Sequence, residues 1–291
     1  MSLPAVARLL CERIRQSAPA PALDMAAWLR DTAEALAGGA PASATCAPAF
    51  VAAGRRLGRG TLAAGEPVPG PDDPVPTAGW SVDDAARAAL LAAAAAGSPA
   101  DLADLVDELY RQGDSREKRG VVRGLSLLPD AGRFTPLALD AGRTNESDLF
   151  AALACGNPFP ARHYGEPEWN KLVMKAAFVG APLAAIVGLE RRANPELSRM
   201  GTDYVSEQEA AGRRFPADIW LLVAPHVTPA ALARMIGYLN HSTAELRRGA
   251  ALGLGRAGQA RARPFLGERA AIEEDAGVRA AIAQALEEIS P

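Results

Sequence analysis

Leu246-Arg-Arg-Gly-Ala-Ala-Leu-Gly-Leu-Gly-Arg-Ala-Gly258 and Val278-Arg-Ala-Ala-Ile-Ala-Gln-Ala-Leu286 decide the fold, because they are one pattern written twice. An apolar residue followed by arginine (Leu246-Arg247, Val278-Arg279) recurs at an offset of 32 residues. In each copy a small residue and a leucine follow at Gly253-Leu254 and Ala285-Leu286. Between the copies, Arg263-Pro264 opens a second helix that ends near Glu274-Asp275, since proline is tolerated in a first helical turn and not deeper. A period of this length marks stacked helix pairs, none of which buries its apolar face alone. The pattern resembles HEAT-type repeats. It has an upstream counterpart: Arg119-Gly120…Gly124-Leu125 mirrors Arg248-Gly249…Gly253-Leu254, and Pro136 mirrors Pro264, at offsets of 129 and 128, close to four periods.

Working outward, helix-period patterns follow one another along the chain. The spacing predicts helices over Leu3–Gln16, about Ala22–Ala37, about Ala44–Leu57 and Ser81–Ala96, the last with Ser81 as cap and Asp83 and Asp84 in the first turn. Residues 58–79 hold five prolines and five glycines, so they read as a loop or flexible linker. The expected organisation is an N-terminal helical segment (1–57), that linker, and a helical domain over 80–291, its repeats clearest at 115–142 and 244–290. No stretch alternates as a strand. The expected fold is all-α, a HEAT/armadillo-like right-handed helical superhelix.

Composition agrees. Alanine supplies more than a fifth of the residues while aromatics supply 5%, which suits closely packed helices and not a β-sandwich. A net charge of −3 lacks the basic excess of a nucleic-acid footprint. The most apolar run, Ala85 to Ala96, contains Arg87 and is too short to span a bilayer. Arg8, Glu12, Arg13 and Arg15 stand where a signal peptide needs apolar residues. Three scattered cysteines without a CxxC pair point to a reduced, cytoplasmic setting.

Several catalytic signatures fail on context. Gly253-Leu-Gly255-Arg-Ala-Gly258 spells GxGxxG but follows a helix instead of opening one after a strand. Asp83-Asp84 suggests an aspartate-rich metal motif, but Arg87 stands in its fifth position. His163, His226 and His241 lack metal-site spacing. Neither a cofactor nor a metal is expected.

Residues 134–220 are written differently. They hold nine of fifteen aromatics, four of five asparagines and two of three lysines, the mixture a binding pocket requires. Trp169 shares a helix face with Leu172, Val173 and Ala176; Asn194-Pro195 fits a helix cap; Asp203 and Glu207 lie one turn apart, spaced for acid–base work or for a surface ion pair with Arg199. Asn157, Phe159, His163 and Tyr164 fall in a Pro-punctuated loop that suits a pocket rim.

Arg143-Thr-Asn145, Asn157-Pro-Phe-Pro160, Glu168-Trp-Asn170, Lys175-Ala-Ala-Phe178, Gly188-Leu189, Arg192-Ala-Asn194, Asp203-Tyr204, Glu207 and the run Arg213 to Trp220 occur in one order. Together they resemble the EboA family of metabolite-traffic proteins, over about 115–222. The resemblance implies a cytoplasmic helical protein of an ebo-type operon, which also encodes a UbiA-type prenyltransferase. Its role would be to assist export of a secondary metabolite or its possibly prenylated precursor, by binding it or another protein of the operon. The residues expected to bind ligand or partner are Arg143, Asn145, Asn157, Phe159, His163, Tyr164, Trp169, Asn170, Lys175, Arg192, Asn194, Asp203, Tyr204, Glu207 and Trp220. The leading expectation is a non-enzymatic binder. The alternatives are an isomerase- or lyase-like enzyme using Asp203, Glu207 or Lys175, and a structural scaffold.

Overall fold

The computed structural model describes residues 4–17 and 23–289. The expected helix starts at Leu3 and Ala22 lie outside the described residues, as do Ser290 and Pro291. Within them the chain is all-α, with sixteen α-helices and two isolated β-bridges. Its contacts divide it between Gly165 and Glu166, and not at residues 58–79.

The first unit comprises α1 (Ala5–Ser17), α2 (Leu23–Ala37), α3 (Ala42–Leu57), α4 (Val82–Gly97), α5 (Leu102–Gln112), α6 (Ser115–Gly124), α7 (Thr135–Arg143), α8 (Ser147–Ala154) and α9 (Phe159–His163). Its axis is α4. From Ala88 onward α4 is apolar on every side and has no face to give to water; the helix is buried from Val82 to Ala95, with α1, α2, α3 and α6 packed round it. Ser81 and Asp84 form a capping box at its start. So α1–α3 belong to the same core as α4.

The Pro/Gly-rich segment is an irregular loop, as its composition requires, and it is anchored to the first unit. Val68 and Val75 exchange backbone hydrogen bonds at 2.8 Å, and the Leu62 amide donates to the Trp80 carbonyl at 2.9 Å. Leu62, Val68, Val75 and Trp80 are buried. Arg13 of α1, itself buried, donates to Thr77 Oγ1 at 2.6 Å and to the Glu66 carbonyl. A charge-assisted bond of this kind contributes about 1.5–3 kcal/mol. Arg13→Ala should therefore raise amide exchange at Val68 and Val75 more than tenfold. Unchanged protection would show that Arg13 does not hold the loop.

The second unit comprises α10 (Glu166–Val179), α11 (Pro195–Ala210), α12 (Trp220–Val223), α13 (Pro229–Tyr238), α14 (Ala244–Ala257), α15 (Arg263–Ile272) and α16 (Ala276–Glu288). Here α14 is central, packed on α12, α13 and α16. The repeated arginines do the same job in both copies. Arg247 Nη1 donates to the carbonyls of His241 and Ser242 at 3.0 Å, and Arg279 Nη1 donates to those of Glu273 and Glu274 at 3.1 and 2.8 Å. Each arginine stitches its helix to the turn before it. The buried Glu273 joins the copies: it accepts from Arg247 at 2.8 Å twice and from Arg269 at 2.8 Å. These bonds, against the opposing cost of burial, hold its carboxyl far below the usual range.

The GxGxxG glycines lie along α14 and at its end. A Cβ at Gly253 would stand 2.5 Å from Trp220 Cβ, and one at Gly255 would stand 2.7 Å from Ala285 Cα. Gly258 ends the helix in the left-handed region at φ 62°. In the first unit, Gly120 and Gly124 meet Arg87 and Leu91 of α4 in the same manner, so the upstream counterpart of the repeat is real packing. No helix among the described residues is long and apolar enough to cross a membrane.

Candidate functional site

The residues singled out from the sequence divide between the two units. In the first, Asn157 is buried and saturated. Its Oδ1 accepts from the Phe159 amide at 3.0 Å and Ser126 Oγ at 3.1 Å, and its Nδ2 donates to the Val122 and Ala152 carbonyls at 3.2 and 3.1 Å. It ties the ends of α6 and α8 to the start of α9. Phe159 and Tyr164 are core residues. His163 packs at a tilt against Phe159, ring centroids 4.6 Å apart, and faces Asp72 at 3.6 Å; burial lowers its pKa against the opposing pull of Asp72. Arg143 and Asn145 are exposed.

In the second unit, Asn170 and Asn194 exchange side-chain amide bonds at 3.2 and 2.9 Å, and Asn194 Oδ1 also caps α11 by accepting from the Leu197 amide at 2.8 Å. The pair fixes the end of the segment between α10 and α11. Trp169 is fully buried beneath the Arg192 guanidinium, 5.2 Å from its ring. Trp220 is fully buried against Phe215 and Tyr238, with ring centroids 6.0 and 5.4 Å away. Tyr204 and Lys175 are half-buried, and burial lowers the lysine's pKa. Asp203 is exposed and paired with Arg199 at 2.5 Å, and Glu207 is exposed one turn on. Thus Asp203 and Glu207 do not share a dry pocket.

The second unit's concave features lie elsewhere. Three hollows of about 510, 360 and 440 Å³ share Arg248 and Leu252 of α14. They follow one stripe of that helix, Glu245, Arg248, Leu252 and Arg256, spaced three and four residues apart so that they share a face. The first and second hollows meet over Leu221 and Ala184; the third lies between α14 and α16. The far wall of the largest is the segment carrying Ile186, Gly188 and Leu189.

That wall is held in place by polar bonds. Asp218 Oδ2 accepts from the Leu183 amide at 2.7 Å. Burial raises the Asp218 pKa, the backbone amides of Leu183 and Ala184 oppose that, and Glu245 adds repulsion. Arg256 is ion-paired with Glu190 across the largest hollow. Burial lowers the Arg256 pKa, offset by Glu288. The result is a groove with a small-residue and leucine floor, rimmed by charges of both signs. This arrangement suits holding a small molecule: volumes of about 300–1,000 Å³ with an apolar lining and few polar anchors are usual for ligand sites.

None of the fifteen expected site residues lines these hollows. Gly188 and Leu189 do, and both stand in the sequence segment that carried the resemblance. Other lining residues come from 180–191 and 216–221, and the rest belong to the repeat. The signal for them is the second arginine of Arg247-Arg248: the first is spent on turn carbonyls, which leaves the next one on the adjacent face.

The chain matches the family model described as metabolite traffic protein EboA over residues 8–224. It matches the model for HEAT repeats over residues 220–287. No curated protein and no solved structure matches it. The first match is wider than the segment read from sequence, and runs from within α1 to the end of α12.

Proposed function

The chain belongs to the EboA family of metabolite traffic proteins, and from that premise we propose that it is a non-catalytic binder holding a small apolar metabolite in the α14 groove. The observation that carries this reading is the convergence of three hollows on one helix face, at Arg248 and Leu252. Burial of apolar ligand surface there would contribute about 25 cal/mol per Å². The family-like residues support the groove by positioning it. Asn170 and Asn194 secure one end of the wall that carries Ile186, Gly188 and Leu189, and Asp218 secures the other. Exposure of Asp203 and Glu207 favours binding over acid–base chemistry.

Leu252 is half-buried and points no polar atom at its neighbours, so Leu252→Trp fills the groove without opening the core. Protein isolated from its native host should carry a reproducible small molecule in native mass spectrometry, and Leu252→Trp should lose it while its circular dichroism and melting stay unchanged. An equal ligand load on both proteins would overturn the reading.

A further inference from the structure

Arg248 differs from the other arginines of the groove and its helix. Arg247 is spent on Glu273 and two carbonyls, and Arg256 on Glu190. Arg248 is exposed and makes no hydrogen bond or ion pair among the described residues. Yet it is one of only two residues, with Leu252, that line all three hollows. The carboxylates of Glu245, Asp275 and Glu288 line the same hollows. None of them is within ion-pair distance of it among the described residues.

The neighbours of Arg248 are small. Gly249 follows it, Ala184 and Ala217 face the same space, and a Cβ at Gly277 would stand 4.0 Å from Arg248 Cδ, an ordinary contact distance. A planar guanidinium presents a fork of donors that matches the two oxygens of a carboxylate or phosphate. Flanked by glycine and alanine, that fork is open to a group arriving from the groove. Beside it, Leu221 and Leu252 offer an apolar surface to the rest of the same molecule.

We infer that Arg248 is an oxyanion-recognition point, and that the groove takes an acidic amphiphile: one carboxylate or phosphate on Arg248 and an apolar body along Leu252 and Leu221. This rests on the reading of the groove as a binding site and adds the chemical class of its ligand.

Two fluorescent probes with the same apolar body separate the claims. 8-Anilinonaphthalene-1-sulfonate carries an anionic group, and N-phenyl-1-naphthylamine lacks it. The protein should bind the sulfonate at least tenfold more tightly than the neutral amine. Arg248→Gln should abolish that tenfold preference, while Arg261→Gln, at an exposed arginine outside the groove, should leave it intact. Leu252→Trp should weaken both. Displacement of the bound sulfonate by octanoate or by octyl phosphate, and not by octanol, supports the inference and identifies the oxyanion. If the two probes bind wild type equally, with both weakened by Leu252→Trp, the oxyanion assignment is wrong and the groove stands. If Leu252→Trp weakens neither probe, the groove reading falls with it.

Discussion

Asp83→Ala should destabilise the first unit by about 3–5 kcal/mol, the usual cost of removing one partner from a buried charge cluster. The Asp83 side chain has no exposed surface. It accepts from Arg87 Nη1 at 2.6 Å, from Arg116 Nη2 and Nε at 2.7 and 3.1 Å, and from Ser81 Oγ at 2.6 Å. Beside it, Asp84 is paired with Arg119 and Arg123 at 2.9 and 3.3 Å. Alanine at position 83 leaves the Arg87 guanidinium, only 4% exposed, next to Arg116 without the carboxylate that bonds to both. The two units need not unfold together, so the loss is best read as accelerated exchange of the α4 amides. The pH dependence follows from the same contacts. Burial raises the Asp83 pKa, but Arg116, Ser81 and Arg87 outweigh it and hold the carboxyl at about 2, against about 3.9 in the unfolded chain. A depressed folded value means that this stabilisation is complete above pH about 4 and fades as pH falls through 2. Asp83→Asn should flatten that acid limb. An α4 that exchanges normally in Asp83→Ala would show that the cluster contributes little.

The repeat was readable because its residues have periodic jobs. The apolar-Arg step at Leu246-Arg247 and Val278-Arg279 places each guanidinium where it reaches back to turn carbonyls five and six residues earlier. Glycines at 120, 124, 249 and 253 recur because helices press on them. The capping chemistry of Ser81 and Asn194 was equally local. Residues 58–79 form a loop, as their proline content indicates, but proline content says nothing of tertiary anchoring. Arg13, Thr77 and Glu66 are far apart in sequence, and no local pattern announces their bonds.

The site was less legible for a related reason. Asparagines and aromatics stand out against an alanine-rich background, but Asn157, Asn170 and Asn194 stand out as buried amides that complete hydrogen-bond sets. Trp169 and Trp220 stand out as core. Rarity marked positions where the fold needs a specific shape or donor. The groove is lined by common residues, alanine, leucine and arginine. What distinguishes Arg248 from Arg247 is a missing partner, and that is visible only once Glu273 has been placed beside Arg247.

Gly249→Val should cost the second unit about 3 kcal/mol or more, and Gly267→Ala should stabilise it by about 0.5–1 kcal/mol. Helix propensity alone assigns a gain to removing glycine from either helix interior. The difference lies in what the new atoms meet. A Cβ at Gly249 would fall within the van der Waals envelope of the Ala217 carbonyl, which is backbone and cannot rotate away. The 3-10 turn Ala217–Ile219 would have to retreat from α14, and Trp220, which follows it and packs on Gly253, would move with it. Gly267 lies in the interior of α15 with open space where its Cβ would point. Because Ala217 and Gly249 line the second hollow, Gly249→Val should also abolish probe binding in the groove, whereas Gly267→Ala should leave it intact. Amide hydrogen exchange of the slowest α14 and α15 amides over a urea series reads both changes. If Gly249→Val melts like wild type, α14 does not depend on this close approach, and the glycine face of the repeat needs another explanation.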